Sequence, residues 1–242
     1  MASSALVERY ASARADILSR VGWACARVGR DPSEVTVVAV TKTVPAWSVR
    51  AAIAAGFGIF GENRVQEAAP KIAELTVGGR AAMVGGWHLI GPLQSNKARR
   101  AVELFDVIET VDSLALAQRL DRTAGEIGRD VLPVLLEVNV DVDPAKSGYD
   151  PATIAADLPG LIALPRLRVL GLMTVGRLVT DATDARPTFQ RLRELSGTLR
   201  AMDSRLGPAL SMGMSDDFEV AVEEGATFVR LGRAIFGERP VP

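Results

Sequence analysis

Short β-branched runs and helical stripes alternate along this chain about eight times, and few folds accept that pattern. Apolar residues at Leu6, Tyr10, Ala13, Ile17, Val21 and Ala24 recur at helical spacing and predict a leading helix over 4–27. The run 35–40 follows as a strand that ends at Thr41 and Lys42. Pro45 then opens a helix that stops at Gly56, a natural C-cap. Further strands are predicted over 57–60, 82–90, 107–111, 131–140, 167–175, 209–212 and 228–231. Helical stripes separate them, such as Val65, Ala68, Ile72 and Leu75, or Phe189, Leu192, Leu195 and Leu199. Each helix is a crossover between parallel strands, and eight such units close a sheet into a barrel. The expected fold is a single (β/α)8 barrel of the TIM type with an extra N-terminal helix; an open doubly wound sheet is the alternative. No Pro/Gly-rich linker interrupts the units, so one domain is expected over 1–242.

Composition then removes whole classes of function. Hydrophobic residues make up 48% and charged residues 24%, enough apolar mass for a full core. The formal net charge is −1 with no basic block, which disfavours nucleic acid and anionic membrane as partners. No apolar stretch reaches the length that spans a bilayer, and Glu8 and Arg9 break up the start, so no signal peptide is expected. Cys25 is the only cysteine, which excludes an internal disulfide and fits a reducing cytoplasm. It reads as a small packed residue on the leading helix.

In a barrel, ligand groups gather where the strands end. Those positions are polar here: strand 1 ends in Lys42, strand 2 in Glu62 and Asn63, strand 3 near His88, strand 5 at Asn139, strand 6 near Met173 and Thr174, strand 7 at Ser211, and strand 8 at Arg230 and Gly232. By the period of two, Lys42 shares a face with Val38 and Val40 and points inward. Desolvation favours its neutral amine, the form that attacks an aldehyde. Ser211-Met212-Gly213-Met214-Ser215-Asp216-Asp217 and Arg230-Leu231-Gly232-Arg233 supply hydroxyls, glycine and backbone amides. In barrels a phosphate site commonly lies in these loops after strands 7 and 8. Arg230 should also face inward, where a buried guanidinium needs an acceptor such as a pyridine nitrogen. Three patterns are discarded. Gly56-x-Gly58-x-x-Gly61 runs from a helix into a strand, the reverse of a dinucleotide turn. His88 and Cys25 lack metal-ligand spacing, and Asp141, Asp143 and Asp150 lack a calcium-loop pattern.

Several blocks resemble the pyridoxal phosphate homeostasis protein family. They are Val38-Ala39-Val40-Thr41-Lys42 with Pro45, then Phe60-Gly61-Glu62-Asn63-Arg64-Val65-Gln66-Glu67 and Trp87-His88-Leu89-Ile90-Gly91-Pro92. Gly171-Leu172-Met173-Thr174, the 210–217 segment and Val229-Arg230-Leu231-Gly232 complete the set, in order along the chain. The resemblance implies a barrel related to the N-terminal domain of alanine racemase. It further implies pyridoxal 5′-phosphate (PLP) as cofactor, held as a Schiff base on Lys42. Ser211 and the amides near Gly232 and Arg233 would meet the phosphate, with Arg230 near the ring nitrogen; Asn63, Asn139 and Met173 are further expected contacts. Thr41 stands where serine is usual in the family, and Arg233 where a small hydroxyl residue is common. The implied role is storage, buffering or delivery of PLP in vitamin B6 homeostasis, with PLP-dependent apo-enzymes as recipients, a cytoplasmic location and a monomer. The alternative is a racemase-like enzyme. It is disfavoured because no added domain is expected after the last strand, and because Tyr10 and Tyr149 are not placed at strand ends. No second acid/base is therefore expected beside Lys42.

Overall fold

The structure, a computed structural model, describes residues 4–76, 86–177 and 179–238. Eight parallel strands close into a barrel in sequence order: β1 Thr36–Val40, β2 Ile59–Glu62, β3 Gly86–Leu89, β4 Val107–Val111, β5 Leu132–Glu137, β6 Leu167–Met173, β7 Ala209–Ser211 and β8 Phe228–Leu231. Pairing of Thr36 with Phe228 and of Val38 with Arg230 joins the last strand to the first. The helices around it are α1 Ser4–Val28, α2 Ala46–Ala54, α3 Val65–Thr76, α4 Ala98–Leu104, α5 Leu114–Glu126, α6 Ile154–Ile162, α7 Arg186–Met202, α8 Phe218–Glu223 and α9 Arg233–Phe236. The barrel expected from the alternation is therefore present, with its leading helix, and the open sheet is not.

Strands buried on both faces carry runs of apolar residues, which is why 36–40 and 132–136 read as continuous hydrophobic segments. Their outward side chains, among them Ala39, Phe60, Leu89, Ile108, Leu136, Leu172 and Val229, join the helices in one large core. Inside the barrel, Val107, Leu135 and Met173 form a separate apolar plug. The α1 helix adds Tyr10, Ile17, Val21, Ala24 and Cys25 to the outer core. Tyr10 is fixed there by a 2.6 Å hydrogen bond with Ser48 and by edge contact with Phe236.

Strand ends depart most from the pattern. The fifth strand stops at Glu137 rather than near 140, because the chain turns back and Val138 bridges Tyr149. Apolar Val138 and Val140 are buried but belong to this return, not to the strand. Tyr149 thus lies beside the end of β5, where the tyrosine positions suggested only a loop. The third strand begins at Gly86; residues 82–85 of the predicted strand lie outside the described residues. Gly56 closes α2 and leads to β2, as the discarded glycine pattern requires.

Candidate functional site

Lys42 sits in a turn at the mouth of the barrel. The turn is closed by Val44 N–H donating to the Thr41 carbonyl at 2.9 Å. Thr43 within it takes a φ of 64°, the left-handed region, in which a β-branched residue is strained by roughly 1–3 kcal/mol. The surroundings hold that strain. Thr41 N–H donates to the Gly61 carbonyl, and Lys71 Nζ donates to the Thr41 carbonyl at 2.7 Å. Lys71 also pairs at 2.5 Å with Glu62 Oε1, which lies 2.6 Å from the Thr41 hydroxyl. Glu62 is fully buried. The turn that presents Lys42 is therefore seated on a buried ion pair.

Beyond the turn lies a cavity of about 460 Å³, lined by Lys42 and Val40 from the β1 end, Asn63, Ile90 with Gly91 and Pro92, Glu137, Met214 with Ser215, and Arg230, Gly232 and Arg233. This falls within the range of about 300–1,000 Å³ usual for small-molecule sites. Two glycines shape it. A Cβ at Gly91 would stand 2.4 Å from the Asn63 carbonyl oxygen, so only glycine lets the loops after β2 and β3 close up. Gly213, at φ 92°, would place a Cβ 2.5 Å from that of Ala221. The loop it opens is pinned by Met214 N–H donating to Asp217 Oδ1 at 2.6 Å. Ser215 Oγ accepts from the Ala234 amide at 3.2 Å, which ties the loops after β7 and β8 together.

The cavity floor is a buried polar chain. Arg230 Nη1 donates to Ser211 Oγ at 2.6 Å, and Nη2 donates to the Thr174 carbonyl at 2.7 Å. Ser211 Oγ donates to Glu109 Oε2 at 2.5 Å, and His88 Nδ1 lies 2.6 Å from Glu109 Oε1. Burial pushes the Glu109 carboxyl up, but the hydrogen bond with His88, nearby positive charge from Arg230 and the Ser211 hydroxyl outweigh it and hold the carboxyl below its ordinary value. Burial also lowers the Arg230 guanidinium, opposed by Glu109, Glu137 and Asp217. His88 is thus a hydrogen-bonded strand residue.

Glu137 ends β5 on the cavity wall and is 7% exposed. Its Oε2 is buried without a hydrogen-bond partner among the described residues. Burial first, then the charge of Asp112, push its carboxyl up to about 7 against the pull of Arg230.

Five of the eight residues singled out in sequence line this cavity: Lys42, Asn63, Arg230, Gly232 and Arg233. The other three lie elsewhere, each for a physical reason. Asn139 turns its amide into its own loop, donating to the Asp143 and Lys146 carbonyls and accepting from Asp143 N–H. Met173 belongs to the apolar plug. Ser211, which the loop chemistry offered to a phosphate, is fully buried in the floor, its hydroxyl taken up by Glu109 and Arg230. Ser215, four residues on, is the hydroxyl at the cavity. Sequence reasoning passed over both Ser215 and Glu137. A glutamate at the end of an apolar strand, two positions after the inward Leu135, was the available signal for the latter. Glu137 also puts a titratable group on the same cavity as Lys42.

Fold and site together define a barrel of the alanine racemase class: the family model for the alanine racemase N-terminal domain matches residues 19–240. Alanine racemase of Corynebacterium glutamicum has the same fold, at a TM-score of 0.70 and 17% identity, with this chain covering 62% of it. Similarity is far higher to the pyridoxal phosphate homeostasis protein of Pseudomonas aeruginosa, 44% identical across 93% of this chain and 94% of that protein. PipY of Synechococcus elongatus, whose structure was solved with PLP bound, superposes at a TM-score of 0.81 with 43% identity, over 96% of this chain and all of that one. The chain belongs to the pyridoxal phosphate homeostasis protein family.

Proposed function

We propose that this protein binds PLP in the cavity at the barrel mouth and serves vitamin B6 homeostasis by storing, buffering or delivering it. The observation that carries the reading is the meeting of three chemistries on one cavity: a primary amine at Lys42, a buried guanidinium at Arg230 and the linked loops after β7 and β8. These suit an aldehyde, a pyridine ring and a phosphate respectively. The printed names of its relatives, and PLP in the PipY structure, support the same reading. When bound, PLP supplies an electrophilic aldehyde on an electron-withdrawing ring. Lys42 is held at the cavity by its turn, and the Glu62–Lys71 pair fixes that turn. Ser215, with backbone around Gly232 and Arg233, would hold the phosphate, and Asn63 would flank the ring. Arg230, fixed by Ser211 and Thr174, would face the ring nitrogen and leave it unprotonated, which weakens carbanion chemistry. Recipients would be PLP-dependent apo-enzymes in the cytoplasm. Among the described residues no helix is long and apolar enough to cross a membrane.

The chain has four lysines. Of these, Lys42 lines the cavity at the barrel mouth. Borohydride treatment with PLP, followed by peptide mass mapping, should therefore place the pyridoxyl group on Lys42. Its appearance on Lys71, Lys97 or Lys146 instead would overturn the site.

A further inference from the structure

The floor and the wall of the cavity each carry a buried carboxyl group, and only the floor's is fully used. Glu109 meets His88 and Ser211 on its two oxygens. Glu137 faces the same interior, yet its Oε2 is buried with no partner among the described residues. A buried ionised carboxylate with an unmatched oxygen is costly, and the neutral acid far less so. The neutral acid carries an O–H donor on a residue that lines the cavity, and a buried donor wants an acceptor.

We propose that Glu137 binds the ligand as a neutral acid, donating a hydrogen bond from its carboxyl group to an acceptor atom on the polar edge of the cofactor ring. This deepens, and rests on, the PLP reading above. The groups around it favour that form. Asp112, after β4, is the negative charge acting on it, and Arg230 of β8 is the opposing positive one. Arg230 is itself shared with Glu109 of β4 and Asp217 before α8. Lys42, Asp216, Arg233 and Glu238 line other parts of the same cavity, and Tyr149, whose amide donates to the Glu137 carbonyl, brings a phenol rather than a charge. With a carboxyl titrating at about 7, the donor is present below neutrality and lost above it. The ionised form then also repels an anionic ligand. Glu137 would therefore make capture of the cofactor tighter on the acid side.

The test uses the full chain and two ligands: PLP and pyridoxine 5′-phosphate, which lacks the aldehyde and so bypasses Lys42. Equilibrium binding is measured for the unmodified protein, Glu137→Gln and Glu137→Leu, from about pH 5.5 to about pH 8.5, on either side of the titration. Glutamine keeps a neutral donor at every pH, so ligand titrations cancel in the ratio of the two proteins' affinities. That ratio should fall roughly threefold to tenfold with rising pH, the worth of one hydrogen bond. Glu137→Leu should bind more weakly by a similar factor at the acid end. Infrared difference spectra should show the carbonyl band of a neutral carboxylic acid shifting on ligand binding, and Glu137→Gln should abolish it. A ratio constant with pH, or a carboxyl band indifferent to ligand, would sink the assignment while leaving PLP binding intact. Failure of the unmodified protein to bind either ligand would overturn both the assignment and the reading beneath it.

Discussion

Glu109 and Glu137 stand on neighbouring strands inside one barrel, both nearly out of reach of water, and behave oppositely. Glu109 is held below its ordinary value, whereas Glu137 is pushed up to about 7. Arg230 acts on both, so the difference lies in their hydrogen bonds and their other charged neighbours, His88 lowering Glu109 and Asp112 raising Glu137. His88 and Ser211 saturate Glu109, while Glu137 has an oxygen with no match. Burial alone favours a neutral carboxyl, and hydrogen bonds or opposite charge must offset it to keep the group charged. The floor is thus finished as protein structure, and the wall is left with valence for something else. That contrast separates groups that build this site from groups that serve it.

The contrast breaks most easily at the floor. Replacing Glu109 by alanine strips Arg230, itself 5% exposed, of the carboxylate that acts on it most strongly and leaves His88 and Ser211 without their acceptor. Leaving a buried charge without the opposite charge that compensates it costs about 3–5 kcal/mol. Chemical denaturation should show a loss of that size, and a loss below about 1 kcal/mol would mean that the floor is not the closed network described. Glu109→Gln should cost less, and should pull the Glu137 titration down by freeing Arg230 to act on it.

A smaller effect of opposite sign belongs to the wall. Glu137 has an ordinary value of 4.5 and about 7 in the fold, so between these the folded chain binds more protons than the unfolded one. Stability therefore falls as pH rises through that window, and the full penalty is present above about 7. Glu137→Gln removes the titration. It should stabilise the protein by roughly 1–3 kcal/mol at about pH 8 and by almost nothing near pH 4. Denaturation midpoints for the two proteins that run parallel across pH would show that Glu137 is already satisfied.

Sequence told the fold and half the site. Alternating periods give the barrel because each helix must cover a strand pair, and that requirement is local. Lys42 and Arg230 were legible because a cation on an inward apolar face needs a reason. Ser211 and Ser215 could not be ranked, since both hydroxyls lie in one loop motif and only the closed barrel shows which meets Glu109. Asn139 is turned into its own loop by something periodicity does not report: short-range bonds to Asp143 and Lys146 take up its amide. Glu137 was hidden by the boundary of its own strand. The apolar residues Val138 and Val140 carry the pattern onward, and the bridge to Tyr149 that ends the strand is a contact no periodicity reports.

The smallest expected effect lies outside the barrel, at a third carboxyl group. Glu223 on α8 is paired with Arg27 of α1 at 2.5 Å and with Arg186 of α7 at 2.5 Å. Burial raises it, but the hydrogen bonds from Arg186 and then Arg27, with their charges, together outweigh this and hold it below its ordinary value. On paper it is as well paired as Glu109. Arg27, however, is 49% exposed, and water can replace what its removal takes away. Exposed pairs contribute about 0–1 kcal/mol and weaken with salt. Arg27→Ala should therefore cost less than about 1 kcal/mol at low salt, and less again at high salt. Because Glu223 is lowered in the fold, its contribution should be present above its ordinary 4.5 and fade as pH falls below it. Urea denaturation at two salt concentrations decides the matter. A salt-independent loss near that of Glu109→Ala would show that pairing alone, wherever it sits, sets the energy, and the distinction drawn from burial would fail.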